Sequence, residues 1–291
     1  MRAVEELARI ALARDTCLTI GVFDGVHLGH RHLLAQVREL AARDGLLPGV
    51  VTFDRHPRQV LSEGNGVPAL TSLEERQALI KALGIPLVVV LPFDRELAQL
   101  SAREFCDLMC RYLRLRCLVV GPDFALGYNR EGTIPVLQAL GLEMGFRVAP
   151  ATFFTLGDEV VSSTAIRRAL AEGDVSRATR LLGRPFSLRG TVVRGEERGQ
   201  RLGFPTANLP VNERRALPAD GVYVARAILE GQPHPAVSYI GPRPTFGPGQ
   251  RVLETYILDF SGGQLYGRDL QVELLHYLRG DIRFPSVQAL K

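Results

Sequence analysis

Lysine is nearly absent from this chain. Of its 35 lysine and arginine residues, lysine supplies only Lys81 and Lys291. Neither stands in a Gly-Lys-Ser/Thr context, which excludes a P-loop, and neither is placed as the lysine of a protein kinase. Any ATP site here has to draw on backbone amides, arginine, histidine and a metal ion. Apolar runs of membrane-spanning length are also missing. The N-terminus carries Glu5 and Glu6 early and lacks the apolar core of a secretory signal, so it reads as an amphipathic helix. Cysteine is sparse, at positions 17, 106, 110 and 117. Cys106 and Cys110 share one face of a predicted helix without a convincing metal-ligand set, and all four read as buried reduced thiols. A cytoplasmic protein without membrane contact is expected. Basic residues are scattered rather than clustered, which argues against a nucleic-acid surface. A net charge of +4 suits anionic small molecules. The expected assembly is a monomer or weak homo-oligomer acting on small-molecule substrates. No internal repeat or low-complexity tract is present.

What the chain does have is two contrasting patterns. In the first part, short apolar runs alternate with helical periodicity. Leu18–Ile20, Gly49–Phe53, Pro86–Leu91 and Cys117–Gly121 read as buried strands, and Ser101-Ala-Arg-Glu104 reads as a capping box opening a helix to about Leu113. Strands alternating with helices predict a doubly wound α/β fold on a mostly parallel sheet, with ligands beyond the carboxyl ends of its strands. After Arg184-Pro185 the pattern changes. Ser187–Arg194, Gly221–Leu229, Ala236–Ile240, Leu253–Phe260 and Leu270–Leu278 are strand-like and separated by Gly/Pro-rich turns, which predicts a small antiparallel barrel. The predicted domains are 1–183 and 187–291.

The most informative segment is Gly21-Val-Phe23-Asp24-Gly25-Val-His27-Leu-Gly29-His30. It lies between the Leu18–Ile20 run and a stretch of helical periodicity from Leu33 to Leu40. Strand, glycine turn and helix start is a place where phosphate can meet exposed N–H groups and the positive end of a helix dipole. Two imidazoles there can donate hydrogen bonds to phosphate oxygens and steady a leaving pyrophosphate. A zinc pair would need third and fourth ligands, and none is close in sequence. Further on, Ser162-Ser163-Thr164-Ala-Ile-Arg167 precedes an amphipathic helix. Its hydroxyls can cap that helix or bind phosphate, and Arg167 can pair with a phosphate or simply face water. In the second part, Gly190–Leu209 contains Gly195, Gly199, Arg201, Gly203, Pro205, Thr206 and Asn208. Close glycines suit a flap over phosphates, and neutral oxygens on Thr206 and Asn208 suit Mg²⁺ that ATP phosphates also hold. A plain Gly-rich hairpin fits this stretch equally well.

The His-x-Gly-His pattern resembles the signature of the nucleotidylyltransferases, and Gly-x-Phe-Asp-Gly-Val-His-x-Gly-His resembles the adenylyltransferase half of bacterial bifunctional riboflavin kinase/FAD synthetases. Gly203-Phe-Pro-Thr-Ala-Asn208 resembles the riboflavin kinase signature. The likeness spans nearly the whole chain. It implies a six-stranded kinase barrel, and conversion of riboflavin to FMN and then to FAD with Mg²⁺ and ATP. It implies that Gly21, Phe23, Asp24, Gly25, His27, Gly29 and His30 bind ATP in adenylyl transfer, joined by Ser163, Thr164 and Arg167. Thr52-Phe-Asp54-Arg-His56-Pro57 resembles the family's Thr-Phe-Asp-Pro-His-Pro, with Arg55 in place of a proline. Asp123-Phe124-Ala-Leu-Gly127 resembles its Asp-Phe-x-Phe-Gly flavin and adenine loop, with Leu126 in place of Phe. Asp54, His56, Pro57, Asp123 and Phe124 are accordingly the flavin side of that site. In the kinase half, the likeness places ATP at Gly195, Gly199, Arg201, Gly203, Pro205, Thr206 and Asn208, with Thr206 and Asn208 also on the metal. It places the catalytic base at Glu254 and the flavin near Arg279 and Phe284. His27 and His30 are the catalytic donors of the other half.

Overall fold

Every residue of Thr16–Ile20 (β1) is buried, as expected of a strand with both faces covered. The computed structural model describes residues 1–61, 66–195, 204–212, 214–242, 251–260 and 262–282. Around β1 lie Leu47–Phe53 (β2), Leu87–Leu91 (β3), Leu115–Val120 (β4) and Arg147–Pro150 (β5), in the order β3-β2-β1-β4-β5 with every neighbouring pair parallel. The helices that cover this sheet are Arg2–Ala8 (α1), Leu28–Arg43 (α2), Leu73–Ala82 (α3), Ala102–Leu113 (α4) and Ile134–Met144 (α5).

The strand pleat sorts the core into two layers. Leu18 and Ile20 pack with Leu7 of α1, with Phe105 and Met109 of α4 and with Leu137 of α5. Cys17 and its register partner Cys117 point the other way, toward Leu34 and Val37 of α2 and Ile80 of α3. The expected doubly wound sheet is present, and its order reverses between β1 and β4. A sheet of this kind opens a crevice at that reversal, beyond the carboxyl ends of the strands. The chain leaves β1 into Gly21–His30 and leaves β4 into Gly121–Phe124, so both motifs sit at the reversal.

All four cysteines are free thiols. Cys106, 1% exposed, has its thiol pushed up to about 12, first by burial and then by the neighbouring Cys110. A thiol held so far toward the protonated form is a poor nucleophile. Iodoacetamide at about pH 8 should leave Cys106 unmodified in the native protein and modify it in denaturant. Peptide mass spectrometry reads both states, and native labelling of Cys106 would contradict the packing described here.

The chain divides into two compact units, Met1–Val161 and Ser162–Lys291. This division precedes the change of sequence pattern near 183–187, because two helices join the second unit. These are Ser163–Ala171 (α6) and Val175–Leu182 (α7). Ser176 Oγ donates to the carbonyl of Leu275 at 3.4 Å, and the Ala219 amide donates to that of Leu170 at 3.0 Å.

Among the described residues, the strands of the second unit are Phe186–Thr191 (β6), Thr206–Pro210 (β7), Gly221–Leu229 (β8), Gln232–Pro242 (β9), Arg251–Ile257 (β10) and Asp269–Arg279 (β11). They form one antiparallel sheet in the order β6-β11-β8-β9-β10-β7. The Val193 amide donates to the Asn208 carbonyl at 2.9 Å, which ties the chain leaving β6 to the far edge strand β7 and closes the sheet toward a barrel. The strand β7 had been legible only as a glycine-rich site segment. Its five residues end in Pro210, and it lies at the edge of the sheet order, where proline is tolerated.

Candidate active sites

The first site is a strained turn mounted on a helix start. After β1 the chain passes through three left-handed residues, Phe23 (φ 53°), Gly25 (φ 83°) and Val26 (φ 41°). Glycine adopts such angles freely, but Phe and β-branched Val do so at a cost of about 1–3 kcal/mol each. A strained turn persists only when its surroundings hold it. Here the holding segment is 70–76. Asp24 is buried, and its carboxylate accepts from the Leu70 amide at 2.9 Å and from the Thr71 amide at 3.1 Å. The Thr71 hydroxyl donates to the same carboxylate at 3.2 Å and accepts from the Gly25 amide at 3.1 Å. Asp24 therefore anchors the turn with its side chain.

This anchored turn delivers the two histidines to α2. His27 is its N-cap, and its Nδ1 accepts from the His30 amide at 3.3 Å. With Nδ1 accepting, the ring proton sits on Nε2, which makes that atom a donor. The His27 and His30 rings stack with centroids 3.6 Å apart, and Phe23 lies 5.1 Å from His30. Gly29 makes the stack possible, because a Cβ there would stand 3.2 Å from the His27 ring and from the Val161 carbonyl oxygen. Two imidazoles are thus fixed together at the positive end of a 16-residue helix. The arrangement suits an anion.

The loops beside this turn are equally fixed. The Asp54 carboxylate accepts from the Phe93 amide at 2.9 Å and pairs with Arg55 at 3.4 Å. His56 Nδ1 accepts from the Arg58 amide at 3.1 Å, just as Pro57 opens the short helix Pro57–Leu61. Beyond β4, the Phe124 amide bonds the Gly121 carbonyl at 3.1 Å, and Arg130 donates to the Asp123 carbonyl at 3.0 Å.

Ser163, Thr164 and Arg167 belong to the second unit, on α6. Ser162 is the cap of that helix, accepting from the Ala165 amide at 3.2 Å. Ser163 and Thr164 are its first two residues, and Arg167 lies one turn on.

The barrel carries the second site on one face. Register pairs Asn208 on β7 with Glu254 on β10, and Thr206 with Tyr256. Opposed residues of an antiparallel pair share a face, with Cβ atoms roughly 5 Å apart. The row continues through Tyr239 on β9 and Val222 on β8 to Arg279 on β11. One line across the sheet therefore joins the candidate metal ligand, the candidate base and a candidate flavin residue, which are far apart in sequence. The alternate residues Leu209, Leu253 and Thr255 are buried on the opposite side.

The Asn208 side chain is buried, and its amide nitrogen donates to the Thr206 carbonyl at 3.3 Å. Gly195 lies against this amide, since a Cβ there would come within 2.5 Å of its nitrogen. Phe204, next to Pro205, packs edge-on to Tyr256 with ring centroids 5.5 Å apart. Gly199, Arg201, Gly203 and Phe284 lie outside the described residues.

Sequence reasoning passed over the 70–76 segment and Tyr239. The first had a readable signal, since Ser72-Leu-Glu-Glu75 forms a full capping box at the start of α3. Tyr239 had none, because only cross-strand register places it beside Glu254.

The chain matches the family described as FAD synthetase over residues 10–165 and the family described as riboflavin kinase over residues 182–291. A bifunctional riboflavin kinase/FMN adenylyltransferase of Escherichia coli K12 is 40% identical over 293 residues, covering 100% of this chain and 93% of its own length. Its counterpart in Pseudomonas fluorescens is 41% identical over 96% of this chain and 89% of its own. That of Bacillus subtilis is 34% identical over 94% and 87%. A solved structure from Streptococcus pneumoniae, described as a macrolide-efflux protein, superposes with a TM-score of 0.91 at 30% identity and covers 100% of this chain and 93% of its own. Among the described residues, no helix is long and apolar enough to cross a membrane.

Proposed function

This chain belongs to the family of bifunctional riboflavin kinase/FMN adenylyltransferases, and we propose that it consumes two ATP molecules in succession. The first phosphorylates riboflavin to FMN, and the second adenylylates FMN to FAD with release of pyrophosphate. The functional boundaries we assign are 1–183 for adenylyl transfer and 187–291 for the kinase. The observation that carries the reading is the difference between the two constellations. One is a pair of stacked imidazole donors at a helix start. The other sets the Glu254 carboxylate opposite the Asn208 amide, with Thr206 two residues along the same strand face.

Those constellations fit the needs of the two steps. A riboflavin hydroxyl is a weak nucleophile, and Glu254 is placed to take its proton as it attacks the γ-phosphorus. Thr206 and Asn208 would hold Mg²⁺. Their neutral oxygens, together with ATP phosphates and water, suit that ion, and the Asn208 amide nitrogen is engaged by the Thr206 carbonyl, which leaves Oδ1 as the ligating atom of that side chain. When bound, the ion neutralises phosphate charge. Gly195, Gly199, Arg201, Gly203 and Pro205 are our assigned ATP-binding residues of this step, and Arg279 and Phe284 our assigned flavin-binding ones.

The FMN phosphate is already anionic, so the second step needs no strong base. It needs alignment for attack on the α-phosphorus and donors for the departing pyrophosphate. His27 and His30 supply those donors. Gly21, Phe23, Asp24, Gly25 and Gly29 shape the turn around the nucleotide, with Asp24 acting through its anchoring of the backbone. Ser163, Thr164 and Arg167 add phosphate contacts from the start of α6. Asp54, His56, Pro57, Asp123 and Phe124 take the flavin. The partners are these small molecules. The four free thiols support a cytoplasmic setting.

Incubation with riboflavin and Mg-ATP should yield FMN first and FAD later, resolved chromatographically over time. No FMN would refute the kinase assignment. FMN accumulating without FAD would refute the adenylyl transfer.

A further inference from the structure

A buried arginine lies beneath the histidine turn with no part yet in the chemistry. Arg76, on the first turn of α3, is only 5% exposed. Its Nη1 donates to the Val22 carbonyl at 2.6 Å and to the Thr52 hydroxyl at 3.1 Å. Thr52 donates in turn to the same Val22 carbonyl at 3.1 Å. Arg76 Nε is buried and makes no hydrogen bond. Burial disfavours the charged guanidinium, while the carboxylates of Asp24, Asp54 and Glu74 favour it in that order. An arginine is an expensive way to satisfy one carbonyl in a core, since neutral donors do so without burying a charge. Its position suggests why it is there. Val22 is the residue immediately before the turn that holds the left-handed Phe23, Gly25 and Val26, and Thr52 is the last residue but one of β2, which leads into the Asp54–His56 loop. A single nitrogen therefore ties the root of the histidine turn to the root of the candidate flavin loop.

We propose that Arg76 is a positioning residue for adenylyl transfer: by holding the Val22 carbonyl against Thr52 it sets the geometry in which the Phe23–Val26 turn presents His27 and His30. The inference rests on the FMN-adenylylating role of that turn. Asp24 pins the crest of the turn to Leu70 and Thr71, and Arg76 pins its root, so the two clamps act at different points. Loss of the root clamp leaves the turn able to form while letting the imidazoles shift.

The test compares Arg76→Met and Arg76→Lys with the unsubstituted protein, measuring kcat and KM for FMN adenylylation together with the melting temperature. Riboflavin phosphorylation in the same samples serves as the concentration standard. Because one nitrogen makes both bonds, a lysine ammonium can replace it, whereas methionine cannot. A displacement on the order of 1 Å in a reacting array costs about a hundredfold. Arg76→Met is expected to lose kcat on that scale with KM for ATP and FMN changed less than about threefold, and Arg76→Lys to recover most of the loss. The proposal is overturned if Arg76→Met keeps kcat within about twofold, or if both variants lose activity only in proportion to a lost folded fraction. Should the unsubstituted protein form no FAD from FMN, the adenylyl-transfer assignment fails instead, which the same assay separates.

Discussion

Replacing Glu254 with glutamine is expected to lower kcat for riboflavin phosphorylation by about 10²- to 10⁴-fold, the usual contribution of a positioned general base. Conversion of supplied FMN to FAD should continue at the unsubstituted rate. Glutamine keeps the size of the side chain and its place opposite Asn208 on the β7–β10 pair, so the strand register has no reason to move. Glu254 is only partly buried, and its barrel-facing neighbours Leu253 and Thr255 carry the packing, with Thr255 hydrogen-bonded to Ser238 at 2.9 Å. The loss should therefore be chemical rather than structural. Asn208→Ala should act in the same direction with a different signature. It removes the amide oxygen and also the donor to the Thr206 carbonyl, so its defect should include a raised requirement for Mg²⁺. Normal FMN formation by Glu254→Gln would remove Glu254 from the mechanism.

The second large effect is expected at His27, and here cap and chemistry must be separated. The ring caps α2 through Nδ1 and stacks on His30. His27→Ala loses both functions, and the cap alone is worth about 0.5–2 kcal/mol of stability. His27→Asn restores an N-cap acceptor of a favoured type but cannot supply the ring or its Nε2 donor. Both variants should lose FAD formation by about 10²- to 10³-fold, the scale of removing one preorganised donor to developing charge. His27→Asn should melt nearer the unsubstituted protein than His27→Ala. Phosphorylation of riboflavin should survive in both. If His27→Asn regained adenylyl transfer along with stability, His27 would be a cap and nothing more. If a substitution in either constellation abolished both reactions in a folded protein, the two sites would not be independent.

The pattern of what was legible follows from the range of the interactions involved. Strands β1 to β4 were visible because a strand covered on both faces must be apolar at nearly every position, and that requirement is local. The helix over Ala102–Leu113 was visible because its Ser101/Glu104 capping box lies within four residues. The barrel strands were found because turns with glycine and proline separate them. The exception was β7, whose five residues follow a glycine-rich stretch of sequence, end in Pro210 and become a strand only by pairing with β10. The helices α6 and α7 read as the close of the first domain, and their place within the second unit rests on bonds such as that from Ser176 to Leu275, which no local pattern carries.

The sequence by itself determined the two kinds of fold and both signatures. It also excluded a P-loop, because a phosphate-binding lysine has to be written into the chain to exist. His27, Gly29 and His30 were readable because a turn entering a helix is built from neighbours. Tertiary structure alone decided what holds that turn. Asp24 meets Leu70 and Thr71 across an interval of 46 and 47 residues, and Arg76 meets Val22 across 54. Tertiary structure likewise decided that Asn208, Glu254, Tyr239 and Arg279 lie in one row. These are matters of strand order and register, and a register shift of one residue would turn the same side chains into the core.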